Sequence, residues 1–298
     1  MSILTDLSNA LAAAVENGGK STVLVDARRR YPASGVVYAQ DMVLTADHVV
    51  TREENLNIMT PEGKALSATL AGRDPGSDLA LLRISEEALA PVKTAAAAPK
   101  IGQLVLAIGR PSTAGAQASW GIVTAMGGPA RTGRGGLLDE YIQTETTSYP
   151  GFSGGPLVNT EGEVLGLNTS GLAHGNALTI PIKVAWRIAD ALAKHGTVKR
   201  GYLGVRTQTV NIPEASSKAL PDGQAHGLLV LWLEQNGPAE KGGVLVGDIL
   251  VGVGGTAVAD PDDLFAALNS DTVGKAVDVK ILRGGKPETI KVTVAERK

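Results

Sequence analysis

The chain has 298 residues, with 28 Lys and Arg against 30 Asp and Glu, a formal net charge of −2. That near balance, with Arg28-Arg29-Arg30 as its densest basic cluster, argues against a nucleic-acid partner. The absence of cysteine excludes disulfides, thiol catalysis and thiolate metal sites. With 43% hydrophobic residues, 37 Gly and 3% aromatics, the composition fits two packed domains built of many short strands and tight turns.

Leu4, Leu7, Leu11, Ala14 and Val15 recur at helical spacing, and Asp6 and Glu16 interrupt any apolar run. The start of the chain therefore reads as an amphipathic helix rather than an export signal or a membrane span. The expectation is a cytoplasmic protein as written, unless an export leader has been removed. Short alternating segments follow, from Thr22–Val25 to Ala177–Pro181, divided by turn signals such as Pro61-Glu62-Gly63, Asp74-Pro75-Gly76 and Glu161-Gly162. Such a series reads as one or two β-barrels or a sandwich.

Lys183 to His195 is predicted helical, with Val184, Ile188, Ala191 and Leu192 on one face and Gly196 as its stop. The pattern then changes, so a first domain is drawn at residues 1–196 and a second at 201–298. In the second, Asp260-Pro261-Asp262-Asp263 opens a helix with a capping Asp, Pro at the first position and acids against the dipole. Leu264 and Leu268 give that helix an apolar face. The strands Val277–Leu282 and Thr289–Val294 close a small α+β domain as a hairpin.

Three local sequences carry chemistry. Thr45-Ala46-Asp47-His48 ends a strand in a histidine, Ser77-Asp78-Leu79 opens a strand with an acid, and Gly151-Phe152-Ser153-Gly154-Gly155 sets a serine in a glycine-rich turn. A serine hydroxyl needs a base to take its proton, histidine has the right pKa range, and a carboxylate fixes the histidine tautomer. Each segment alone is an ordinary strand end or turn. Together, in the order His48, Asp78, Ser153, they form a candidate triad in the chain order of trypsin-like enzymes. The N–H groups of Gly151 and Ser153 are the candidate oxyanion hole. His174, His195 and His226 are read as surface residues.

TADHVV, DLALLRI, GFSGGPLVN and ALTIPIKVAWRI…KRGYLGV resemble the HtrA (Deg) family of serine proteases with a PDZ domain, from about Gly35 to the C-terminus. The resemblance implies a mainly β chain: a chymotrypsin/trypsin-like double β-barrel followed by a small α+β PDZ domain. It further implies degradation of unfolded or damaged polypeptides and a homotrimeric core. Tyr202, Leu203, Gly204 and Val205 match the loop that captures a peptide's terminal carboxylate, with the Leu264/Leu268 helix walling the groove. Thr169 matches the position supporting the triad aspartate. Ser148 and Gly171 match the primary specificity pocket, where two missing apolar side chains suggest a roomier pocket. Phe152 stands where the family usually has Asn, which bears on how readily the loop takes its active form. The family's long regulatory loop is absent between Arg30 and Gly35, and the first helix differs from its usual trimerising segment. No metal or organic cofactor is implied. The competing class is a chaperone or C-terminal-peptide sensor with a resting barrel; a serine esterase is a third reading.

Overall fold

A computed structural model describes residues 2–85, 88–132, 136–172, 178–220 and 223–296. His174 and the first residue of the predicted strand Ala177–Pro181 lie outside the described residues. The chain divides into two compact units, Met1–Val198 and Lys199–Lys298.

In the first unit, α1 (Ile3–Gly19) starts at Ser2, whose side chain accepts from the Thr5 N–H. Its apolar stripe is used only in part. Leu11, Ala14 and Val15 pack on the core, whereas Ile3 and Leu4 are 86% and 76% exposed. The strands β1 (Thr22–Asp26), β2 (Ala33–Ala39), β3 (Met42–Ala46), β4 (Leu56–Met59), β5 (Ala65–Asp74) and β6 (Leu79–Ile84) close into a barrel in the order β1-β2-β3-β6-β5-β4. The choice left open between barrels and a sandwich is thus resolved by closure, which removes sheet edges.

The second barrel uses β7 (Leu104–Ser112) and β8 (Gly115–Gly127). After a small pair, β9 (Ala130–Arg131) and β10 (Leu137–Leu138), it is completed by β11 (Tyr141–Thr144), β12 (Pro156–Val158), β13 (Val164–Thr169) and β14 (Leu178–Pro181). Its order is β11-β14-β13-β12-β7-β8. Strand alternation explains how the barrels share a core. On β6, Ala80, Leu82 and Ile84 fill the first barrel, while Leu79 and Leu81 face the cluster that also buries the helix α2 (Ile182–His195). That helix lies within one residue of its predicted start and ends at Gly196, which takes φ +73° and donates its N–H to Leu192 O at 2.8 Å. Among the described residues no helix is long and apolar enough to cross a membrane.

The second unit pairs β15 (Gly201–Tyr202) with β22 (Ala295–Glu296). Its main sheet contains β16 (Val205–Asn211), β17 (His226–Leu233), β18 (Ile249–Val253), β20 (Ala276–Arg283) and β21 (Lys286–Thr293) in the order β16-β17-β18-β20-β21, with β19 (Thr256–Ala257) on β18. Short helices α3 (Glu214–Ser217), α4 (Pro238–Gly242) and α5 (Pro261–Ala267) complete it. The α5 start is the predicted one: the Asp260 side chain accepts from the Asp262 and Asp263 N–H groups, and Asp263 reciprocates. Leu264 and Leu268, expected to wall a groove, are 6% and 8% exposed and sit in the core of this unit. The reason is periodicity: an apolar i, i+4 pair points a short helix at its own sheet.

Candidate active site

Strand β3 ends at Ala46, and a single 3₁₀ turn, Asp47–Val49, lifts His48 out of the barrel wall. Asp78 lies just before β6, with its backbone in the left-handed region at φ +57°. It is fully buried, and its carboxylate is held from three sides. Oδ1 accepts the His48 backbone N–H at 2.8 Å, Oδ2 pairs with His48 Nδ1 at 2.7 Å, and the Thr169 hydroxyl also donates to Oδ2. A carboxylate on Nδ1 assigns the proton to that nitrogen and leaves Nε2 as the basic one.

Ser153 follows a tight turn in the second barrel. Phe152 N donates to Tyr149 O at 3.0 Å, and Gly151 takes φ +89°, so Pro150 and Gly151 occupy the central positions of a type II turn. Among the described residues neither the Gly151 nor the Ser153 N–H has a protein acceptor. The Ser153 hydroxyl meets the Ser170 hydroxyl at 3.2 Å, and no hydrogen bond joins it to His48. Ser170 was not singled out by sequence reasoning, because a serine after Asn168-Thr169 carries no motif.

Two further residues escaped the sequence. Ser34, fully buried in β2, donates its hydroxyl to Gly151 O at 2.7 Å, accepts the Arg110 N–H at 2.7 Å, and sends its backbone N–H to Ser153 O at 3.2 Å. It ties the serine turn to the first barrel, and Gly154 has no side chain because a Cβ would strike the Ser34 carbonyl. Gly109 is the second. Phe152 is fully buried in the second barrel, edge-on to Tyr149 at 5.4 Å between centroids, and a Cβ on Gly109 would lie 2.5 Å from its ring. The bulky residue in the serine loop therefore has a socket.

The two residues matched to the specificity pocket part company. Ser148 lines a cavity of about 10 Å³ together with Thr144, Thr146, Phe152, Asn168 and Thr179. Gly171 does not line it. A Cβ there would lie 2.7 Å from His48 Nδ1 and closer still to Asp78 Oδ2, so Gly171 covers the His–Asp pair. The cavity that Ser148 lines has room for about one water, with threonines and a buried phenylalanine around it. His195 and His226 are exposed.

In the second unit, Gly204 takes φ +75° between β15 and β16, and among the described residues the Leu203 and Gly204 N–H groups have no protein acceptor. Tyr202 ends β15, Val205 begins β16, and the Leu203 side chain is buried. Among the described residues strand β16 pairs only with β17, leaving its other edge open.

Residues 33–167 match the trypsin-like peptidase domain and residues 201–294 match the PDZ domain. The chain is 34% identical over 275 residues to a probable periplasmic serine endoprotease, DegP-like, of Rhizobium meliloti, covering 90% of this chain and 54% of that protein. It is 37% identical over 268 residues to the protein of the same description from Pseudomonas putida, covering 88% and 55%. The HtrA-type protease AlgW, solved with a decapeptide, superposes with a TM-score of 0.80 at 25% identity, covering 97% and 99% of the two chains. The chain belongs to the HtrA family. A serine endoprotease from Yersinia pestis superposes similarly, with a TM-score of 0.79 at 29% identity over 97% and 98% of the chains. The chain spans about half the length of the curated HtrA relatives it matches. The expected cytoplasmic location is corrected by those relatives, which are named periplasmic enzymes. An amphipathic first helix reports on packing and carries no address, so its lack of leader character decided nothing.

Proposed function

We propose that this HtrA chain is a serine endopeptidase that cleaves unfolded or damaged polypeptides without ATP, in protein quality control. The observation that carries the reading is the Asp78 carboxylate bound to both the backbone and Nδ1 of His48, opposite a serine turn with two unpartnered N–H groups. Ser153 Oγ attacks the scissile carbonyl, His48 Nε2 takes its proton, and Asp78 stabilises the imidazolium without accepting the proton. The Gly151 and Ser153 N–H groups receive the oxyanion, each worth about 3–4 kcal/mol. His48 then returns the proton to the leaving amine, and water repeats the sequence on the acyl-enzyme.

The PDZ unit takes C-terminal peptides: the Leu203 and Gly204 N–H groups hold the carboxylate, and the open edge of β16 pairs with the peptide backbone. A homotrimer is the assembly the family resemblance implies, and the exposed Ile3, Leu4 and Trp120 support an apolar contact between copies. One observation favours the second reading, a chaperone or sensor with a resting barrel: the Ser153 hydroxyl bonds Ser170 rather than His48. Digestion of casein by wild type and Ser153→Ala tests both. Cleavage lost only in the variant supports the peptidase; no cleavage by either, with or without a PDZ-binding peptide, supports the resting barrel.

A further inference from the structure

The cavity beside the serine turn has a polar character that acyl transfer itself does not require. It is open where Ser148 is exposed and ends on Asn168 and Thr179, which are 5% and 3% exposed. Asn168 is fixed in place by its backbone, which donates to Gly155 O at 2.9 Å and accepts from Gly154 N at 2.8 Å. Its side-chain Oδ1 accepts the Thr179 hydroxyl at 2.7 Å, while Nδ2 is buried with no acceptor in the protein. The Thr144 and Thr146 hydroxyls pair with each other at 2.7 Å and leave that donor unanswered. A buried N–H without a partner is costly and discriminates strongly in favour of whatever supplies one.

We propose that Asn168 Nδ2 selects the substrate residue on the acyl side of the scissile bond, favouring serine or threonine over aliphatic residues of the same size. This rests on the peptidase reading and names its substrate class. The position follows from the walls. Phe152 immediately precedes Ser153, and Asn168 stands two residues before Ser170, whose hydroxyl meets Ser153. The side chain next to the attacked carbonyl is therefore the one that enters. The size follows from the volume of about 10 Å³, room for about one water, which suits a short side chain such as serine or threonine better than leucine or phenylalanine. The chemistry follows from the donor: a serine or threonine oxygen accepts from Nδ2 and keeps its own proton for Ser148. A methyl leaves Nδ2 unsatisfied.

Threonine and valine are isosteric, so two peptides differing only there isolate the hydroxyl. The wild type should cleave the threonine peptide with kcat/KM about tenfold higher, the size expected for one satisfied buried donor. Asn168→Leu removes the donor and should bring the ratio within about twofold. Cleavage of the valine peptide as fast as the threonine one by the wild type, with casein still digested, overturns the proposal and leaves the peptidase standing. Failure to cut any substrate, with no labelling of Ser153 by a fluorophosphonate, overturns the peptidase reading and this proposal with it.

Discussion

Adding one methyl group at Gly171 separates two views of that residue. If Gly171 shaped a specificity pocket, Gly171→Ala would trim the substrate range and leave turnover of small residues intact. The structure gives a different expectation. An alanine Cβ would sit 2.7 Å from His48 Nδ1, against an ordinary contact of about 3.5 Å, so the ring must retreat by about 0.8 Å. The same Cβ would lie closer still to Asp78 Oδ2, and the carboxylate has little room to yield, since the His48 N–H and the Thr169 hydroxyl hold it. The His48–Asp78 bond, 2.7 Å in the structure, would then lengthen beyond useful hydrogen-bond range. A misplacement near 1 Å costs about 10²-fold, and losing the carboxylate's orienting role costs about 10⁴-fold, which bracket the effect. In free energy that is about 3–5 kcal/mol of transition-state stabilisation. The assay is kcat on peptides with threonine, alanine or leucine before the scissile bond, with thermal unfolding to confirm the fold. A uniform loss of 10²-fold or more is expected. Turnover within about threefold of wild type, with altered preference among the three peptides, would refute the reasoning.

Phe152→Ala should lower the unfolding free energy by about 3–5 kcal/mol in urea titration, because it empties a fully buried aromatic socket. Phe152→Asn with wild-type turnover would show that this packing does not set the serine loop. Ser34→Ala strips one partner each from Gly151 O and Arg110 N–H, so stability should fall by about 2–4 kcal/mol and kcat with it. Unchanged casein digestion would detach Ser34 from the site. The Tyr38 phenol, bonded to Asp190 on α2, is pushed up to about 12 by burial first and then by that carboxylate. A raised pKa contributes stability below the ordinary value of 10 and loses it as pH rises through 12. The melting temperature of wild type should therefore fall towards that of Tyr38→Phe between pH 10 and 12, and parallel curves across that window would exclude this assignment.

A strand-rich first unit was legible because β3 and β6 carry apolar residues on both faces and turn residues divide the strands; that the strands close into two barrels followed from the family resemblance and not from the pattern. The α5 start was legible because capping is local chemistry: Asp260, Pro261 and Asp263 act within one turn. What the sequence hid is non-local. Ser34 lies 117 residues from Gly151 and 76 from Arg110, and an isolated serine at a strand start looks like any other. Gly171 shows the same limit: alignment to a motif identifies a position along the chain, whereas its closeness to the His48–Asp78 pair depends on what the fold sets it against.

The proposed base and acid, His48 and Asp78, belong to one barrel and the proposed nucleophile, Ser153, to the other, so their geometry depends on how the barrels are held. Each barrel sends one hydroxyl across. Thr169 of the second donates to Asp78 of the first, and Ser34 of the first donates to Gly151 of the second. These reciprocal bonds fix the base and the oxyanion turn and leave one adjustable element, the Ser153 side chain, which rests on Ser170. A neutral hydroxyl pair at 3.2 Å contributes about 1 kcal/mol net, equivalent to less than a tenfold loss of rate. The Gly151 and Ser153 N–H groups, in their proposed role, are worth about 3–4 kcal/mol each to the oxyanion. On those magnitudes the Ser170 contact is the smaller effect, so the state of the serine turn, rather than the resting bond of Ser153, decides whether the site acts.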